Sequence, residues 1–124
     1  MTSKCSCGGN CNITIFACSG CADVGALADR GARALNVSGA GKMSCIAGVG
    51  GGIDTFLKIV ENADKILAID GCHVDCTKKI LENHNAKNIL HLRLSDIDLR
   101  KGESPVTDER IMQVYEAGLK LLNN

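Results

Sequence analysis

The chain predicts an α/β fold of three layers, with helices covering a mostly parallel sheet of about four strands. Three observations carry that prediction. Short apolar, β-branched runs alternate with segments of helical spacing, the pattern of repeated βαβ units. Hydrophobic residues make up 45% of the chain, yet it holds two Phe, one Tyr and no Trp. The core must then be built from Ile, Leu, Val and Ala, which suits a parallel sheet buried on both faces. The third observation is length: 124 residues make one ordinary domain with a real core, and are too few for two.

The elements follow in order. Residues 1–12 are polar, Gly-rich and Cys-rich and predict a flexible tail, leaving 13–124 as a single domain. Residues 13–17, Ile-Thr-Ile-Phe-Ala, predict a first strand ending at Cys18. Apolar residues then recur at Val24, Leu27, Ala28, Ala32 and Leu35, a helical spacing. Past a glycine-rich connection, residues 43–47 predict a second strand, 48–52 a flexible turn, and 53–63 a helix with Ile53, Phe56, Leu57 and Val60 on one face. Residues 65–70 form the clearest strand, and 73–83 return to helical spacing through Val74, Ile80 and Leu81. Residues 88–94 alternate around His91 and Arg93 as a fourth strand, and 95–106 form a loop. Thr107 reads as the N-cap of a last helix striped by Ile111, Val114, Leu119 and Leu122; Arg110 stands where a capping box would have Glu. Right-handed crossovers place helices on both faces of the sheet, a Rossmann-like domain of four strands and four helices.

Charge and hydropathy exclude some roles. Acidic and basic residues balance at 14 each without a long run of either, so the basic stripe of a nucleic-acid binder is missing and nucleic acid is not an expected partner. No segment approaches the ~18 consecutive apolar residues of a membrane helix, so no membrane partner is expected. The first residues carry no apolar stretch resembling an export signal, which predicts a cytoplasmic protein. In that reducing compartment clustered cysteines are metal ligands or redox groups before they are disulfides.

There are eight cysteines: Cys5, Cys7, Cys11, Cys18, Cys21, Cys45, Cys72 and Cys76. Cys18 ends the first predicted strand and Cys21 opens the next helix; Cys45 lies near the end of the second strand. Cys72 follows the third strand, and Cys76 lies a turn into the helix after it. In a parallel sheet all carboxyl ends share one edge, so these five thiols are expected to converge there, where open α/β sheets place their ligands. Helix N-termini at that edge favour thiolates. Cys18-x-x-Cys21 and Cys72-x-x-x-Cys76 supply four sulfurs for one tetrahedral ion at Zn–S distances of ~2.3 Å. Cys45 is an adjacent candidate, and a lone strand cysteine is otherwise a small buried hydrophobe. The tail thiols Cys5, Cys7 and Cys11 add ligands to this site, bind their own ion, or do neither.

Two other chemistries use the same residues. Cys18-x-x-Cys21 between strand and helix suits a thiol redox or sulfur-transfer enzyme. The single proline, Pro105, is misplaced for a thioredoxin fold, and that fold has no use for Cys72 and Cys76. An iron–sulfur cluster takes the same ligand types. Glycine spacings near Gly41 and Gly48 match neither a P-loop nor a dinucleotide fingerprint. Asp70 is a candidate to hydrogen-bond a ligand or cap a helix, and His73 to serve as a fifth ligand or proton carrier. Asp23 reads as a first-turn acid, and His84 and His91 carry no motif.

Asp70-Gly71-Cys72, taken with Cys18-Ser19-Gly20-Cys21 and with Cys45 ahead of Ala47-Gly48-Val49-Gly50-Gly51-Gly52, resembles the DGC-domain family over roughly residues 11–120. The resemblance maps that family's cysteines onto Cys18, Cys21, Cys45, Cys72 and Cys76 and implies a zinc-binding protein with no established reaction. The expectation is a closed site of Cys18, Cys21, Cys72 and Cys76 with Cys45 beside it. Whether its partner is a small molecule or a protein stays open, as does enzymatic activity.

Overall fold

A computed structural model describes residues 11–124. The proposed tail over residues 1–12, with Cys5 and Cys7, falls almost wholly outside the described residues. Four strands make one all-parallel sheet: β1 (Ile13–Ala17), β2 (Lys42–Met43), β3 (Lys65–Asp70) and β4 (Ile89–Arg93), in the order β2-β1-β3-β4. Five helices connect and cover them: α1 (Asp23–Val37), α2 (Ile46–Gly50), α3 (Asp54–Asn62), α4 (Cys76–Asn83) and α5 (Asp108–Leu122). A 3₁₀ turn, Leu94–Ile97, follows β4. The three-layer α/β/α expectation holds.

Alternation along the strands sorts the core into two layers. Ile15, Ala17, Leu67, Ile69 and Leu92 pack with Val24, Leu27, Leu35 and Val114 beneath α1 and α5. Phe16, Ile66 and Ala68 pack with Val49, Val60 and Leu81 beneath α2, α3 and α4. Both faces of β1 and β3 are therefore dry, as parallel strands require.

Helices α1 and α5 interlock through two glycines. A Cβ on Gly31 would lie 2.3 Å from Val114 Cγ1, and one on Gly118 would lie 2.7 Å from Leu35 Cδ1. Each helix thus sets a bulky side chain over the other's glycine. Gly31→Ala is expected to lower stability by about 1–3 kcal/mol through overpacking, read as a reduced denaturation midpoint; an unchanged midpoint would show that Val114 moves aside freely.

Some boundaries depart from the sequence reading. Only Lys42 and Met43 join the sheet as β2, because the chain turns at Cys45 into α2. The expected 48–52 turn is largely that helix: Gly48 leaves room for the Phe56 ring, which would lie 2.3 Å from a Cβ there. The helix expected from 73 begins at Cys76, since Asp75 takes a left-handed backbone at φ 58°. The capping expectation at Thr107 holds: its Oγ1 accepts from Arg110 N at 3.2 Å. Among the described residues, no helix is long and apolar enough to cross a membrane.

Candidate metal centre

From β1 the chain runs to β2 on one side and, by way of β2, returns to β3 on the other, so the sheet order reverses between β1 and β3. Connections leaving neighbouring strands on either side of such a reversal part to opposite faces, which opens a crevice at the carboxyl ends. Here that crevice is flanked by Cys18, which follows β1, and by Gly71-Cys72, which follows β3.

The two segments are joined directly. Cys18 N donates to Ile69 O at 3.1 Å, one step beyond the paired ends of β1 and β3. Gly71 N donates to Cys18 Sγ at 3.3 Å. Gly71 is buried, and a Cβ on it would lie 2.8 Å from Val24 Cγ2 and 2.9 Å from the Val24 backbone. Only a glycine lets the segment after β3 lie this close to the start of α1. The loop carrying Cys21 is pressed onto α1 in the same manner: a Cβ on Gly25 would lie 2.7 Å from the Gly20 backbone. Ser19, left-handed at φ 47°, fixes that loop by donating from Oγ to Asp29 Oδ1 at 2.9 Å.

On the other side of the reversal, Ser44 N donates to Ile15 O at 2.9 Å, carrying the ladder past β2 and bringing Cys45 up beside the end of β1. Cys45 lines a cleft of about 830 Å³ between α1 and α2, with Ser19, Arg33, Asn36, Ser44 and Phe56. Cys21, Cys45 and Cys76 are exposed, and Cys18 and Cys72 are half-buried. The five sulfur-bearing positions thus border one end of the sheet. Cys11 does not: it precedes β1, at the opposite end of that strand.

Burial pushes the Cys18 thiol up from its ordinary value. Hydrogen bonds from the Gly71 and Gly20 backbone oppose that rise, while the negative charges of Asp70 and Cys76 reinforce it. No three cysteine sulfurs among the described residues lie within 4.8 Å of one another, the one such group of ligand atoms being Asp70, Asp75 and His91.

That group is a hydrogen-bonded network. Asp70, 1% exposed, accepts from Thr77 N at 2.8 Å and Lys78 N at 3.1 Å and so caps α4. His91 Nε2 lies 2.9 Å from Asp70 Oδ2 and 3.6 Å from Asp75 Oδ1. Arg93 grips Asp75 with both prongs, Nε to Oδ1 at 2.9 Å and Nη2 to Oδ2 at 2.6 Å. The Arg93 hydrogen bond holds the Asp75 carboxyl below its ordinary range against a smaller effect of burial, with the His91 charge assisting.

Of the two roles weighed for Asp70, the capping one is observed. Asp23 does more than complement a dipole: its carboxylate accepts from Gly102 N at 2.9 Å and Ser104 N at 3.0 Å, pinning the loop before α5 beside the thiol-bearing edge. His73 is exposed. His91 and Arg93 were missed as a pair, although a two-residue spacing on a strand puts both on one face. Their opposite numbers on β3 are Ala68 and Asp70.

The chain is a parallel α/β domain with thiols and helix N-termini gathered at a reversal of strand order, the place where open α/β sheets hold their ligands. The DGC domain family model matches residues 14–117, and the chain belongs to that family. Among curated proteins it is similar to the anaerobic and virulence modulator AnvM of Pseudomonas aeruginosa (strain PAO1), at 41% identity over 87 residues. That match covers 70% of this chain and 66% of the relative, just under two thirds of the relative's length. No solved structure matches.

Proposed function

We propose that the chain is a zinc-binding protein whose ligands are the thiolates of Cys18, Cys21, Cys72 and Cys76, with Cys45 beside them. The observation that carries this reading is the direct bond between the two thiol-bearing segments, Gly71 N to Cys18 Sγ at 3.3 Å, at the reversal of the sheet order. The donor set fits: soft thiolates suit zinc, and backbone N–H groups directed at sulfur are the usual support for a ligating thiolate. No three of these sulfurs stand within 4.8 Å of one another, so gathering four around one ion would require the thiol-bearing segments to adjust.

The surroundings of Cys18 also favour this reading over a thiol enzyme. A nucleophilic cysteine needs its thiolate stabilised by nearby positive charge, whereas Cys18 is half-buried and the burial, with the Asp70 charge, pushes its thiol up. A divalent cation supplies the positive charge that such a group of sulfurs lacks. Redox or sulfur-transfer chemistry at Cys18-x-x-Cys21 and an iron–sulfur cluster remain as the competing uses of the same thiols.

Elemental analysis of protein purified without added metal tests the reading. About one equivalent of zinc per chain is expected, and less than about half an equivalent of any transition metal would count heavily against it. A colourless anaerobic preparation would dispose of the cluster.

A further inference from the structure

We infer that Arg93 and His91, on a strand that carries no cysteine, are positioning residues for the thiolate site, holding the Cys72–Cys76 connection in the shape that offers both sulfurs to one ion. The inference rests on the zinc reading above and assigns it a supporting shell.

The connection is short and bent. Asp75 N donates to Cys72 O at 3.2 Å, closing a turn, and Lys79 N donates to Asp75 O at 2.9 Å, opening α4. Between these bonds Asp75 holds φ 58°, a left-handed conformation that Asp and Asn tolerate better than other side chains and that outside support fixes further. The support is visible. Arg93 takes both carboxylate oxygens of Asp75 in a fork, and a guanidinium fork fixes orientation as well as charge. Asp70, the residue before Gly71-Cys72, is held by His91 on one side and by the first turn of α4 on the other. Arg93 pairs in register with Asp70 across β3 and β4, so one face of β4 braces both ends of the thiol-bearing turn.

The same contacts argue against a cation lodged among Asp70, Asp75 and His91. All four carboxylate oxygens already have donors: Thr77 N on Asp70 Oδ1, Lys78 N and His91 on Oδ2, and Arg93 on both oxygens of Asp75. To ligate an ion there, His91 Nε2 would have to give up its hydrogen bond to Asp70 Oδ2, and the ion would sit beside the Arg93 guanidinium.

Zinc affinity, measured by chelator competition on the full chain, is compared for the wild type, Arg93→Gln, Asp75→Asn and the double variant. Asn tolerates the left-handed backbone, so Asp75→Asn removes the ion pair while sparing the turn. A loss of about 10–100-fold is expected for each single variant. The double variant should lose no more than either single one, since both break one contact. Denaturation midpoints of the metal-free variants should fall only as far as the loss of one part-exposed ion pair accounts for, and the visible spectrum of the cobalt-substituted Arg93→Gln variant should change. Unaltered affinity and spectrum would overturn the positioning role and leave the zinc reading standing. Affinity lost only in step with metal-free stability would show a merely structural contact and overturn it also. A wild-type chain that takes up no zinc would remove the reading itself, and this inference with it.

Discussion

Replacing Asp70 with alanine is expected to lower the stability of the metal-free protein by about 2–4 kcal/mol, the combined cost of losing a helix cap and stranding buried donors. The carboxylate is 1% exposed and accepts from two backbone N–H groups and the His91 ring. Alanine supplies none of those acceptors and leaves Thr77 N buried without one. Asp70→Asn should lose less, because its amide oxygen still accepts from the helix while its NH₂ group faces a donor. Equilibrium denaturation with a chelator present isolates this effect from any bound metal. A loss under about 1 kcal/mol for alanine would mean that water or a neighbour replaces the carboxylate. The first residue of the Asp70-Gly71-Cys72 motif would then owe its place to something other than holding α4.

In metal-free protein at pH 8, Cys18 is expected to react with iodoacetamide at least about tenfold more slowly than the exposed Cys45. Half-burial limits access to Cys18, and a thiol pushed up from its ordinary value of 9.0 is mostly un-ionised at that pH. The sign follows from the cause: burial disfavours the charged form, so the thiolate fraction falls and the rate falls with it. Peptide mapping after timed alkylation gives the order of reaction. Cys18 reacting first would reverse the preference between metal ligand and nucleophile. If zinc is then added back, Cys21, Cys72 and Cys76 should slow together. Cys45, held only adjacent to the site, should slow least.

The sheet, its helices and the edge where the cysteines stand were legible because they rest on local pattern. The residues 65–70 run could be nothing but a buried strand, and Cys72 must emerge wherever that strand stops. What stayed hidden depends on contacts between distant segments. Gly71 looks like any turn glycine until α1 is seen lying so close that a Cβ there would meet Val24 at 2.8 Å. Arg93 and His91 look like the polar alternation of a strand until the register sets them opposite Asp70 and Ala68. The start of α4 was misplaced by three residues because helical spacing through Val74 ignores the left-handed backbone at Asp75. Ser44 and Cys45 read as strand since they are β-compatible, and the ladder does extend to Ser44; the turn into α2 answers to the packing of Phe56 on Gly48, which no short window records.

The reciprocal seating of Val114 over Gly31 and Leu35 over Gly118 bears on the order in which the molecule assembles. Helix α1 ends at Val37, and the helix that seals it begins about seventy residues downstream at Asp108. Until that late segment has been synthesised, the greasy stripe of the first helix has only half its cover. Closing so long a span slows folding more than it weakens the finished product. During that interval a nascent chain would carry several uncommitted sulfurs beside an unsealed surface, which makes early oxidation and self-association its characteristic hazards on the ribosome.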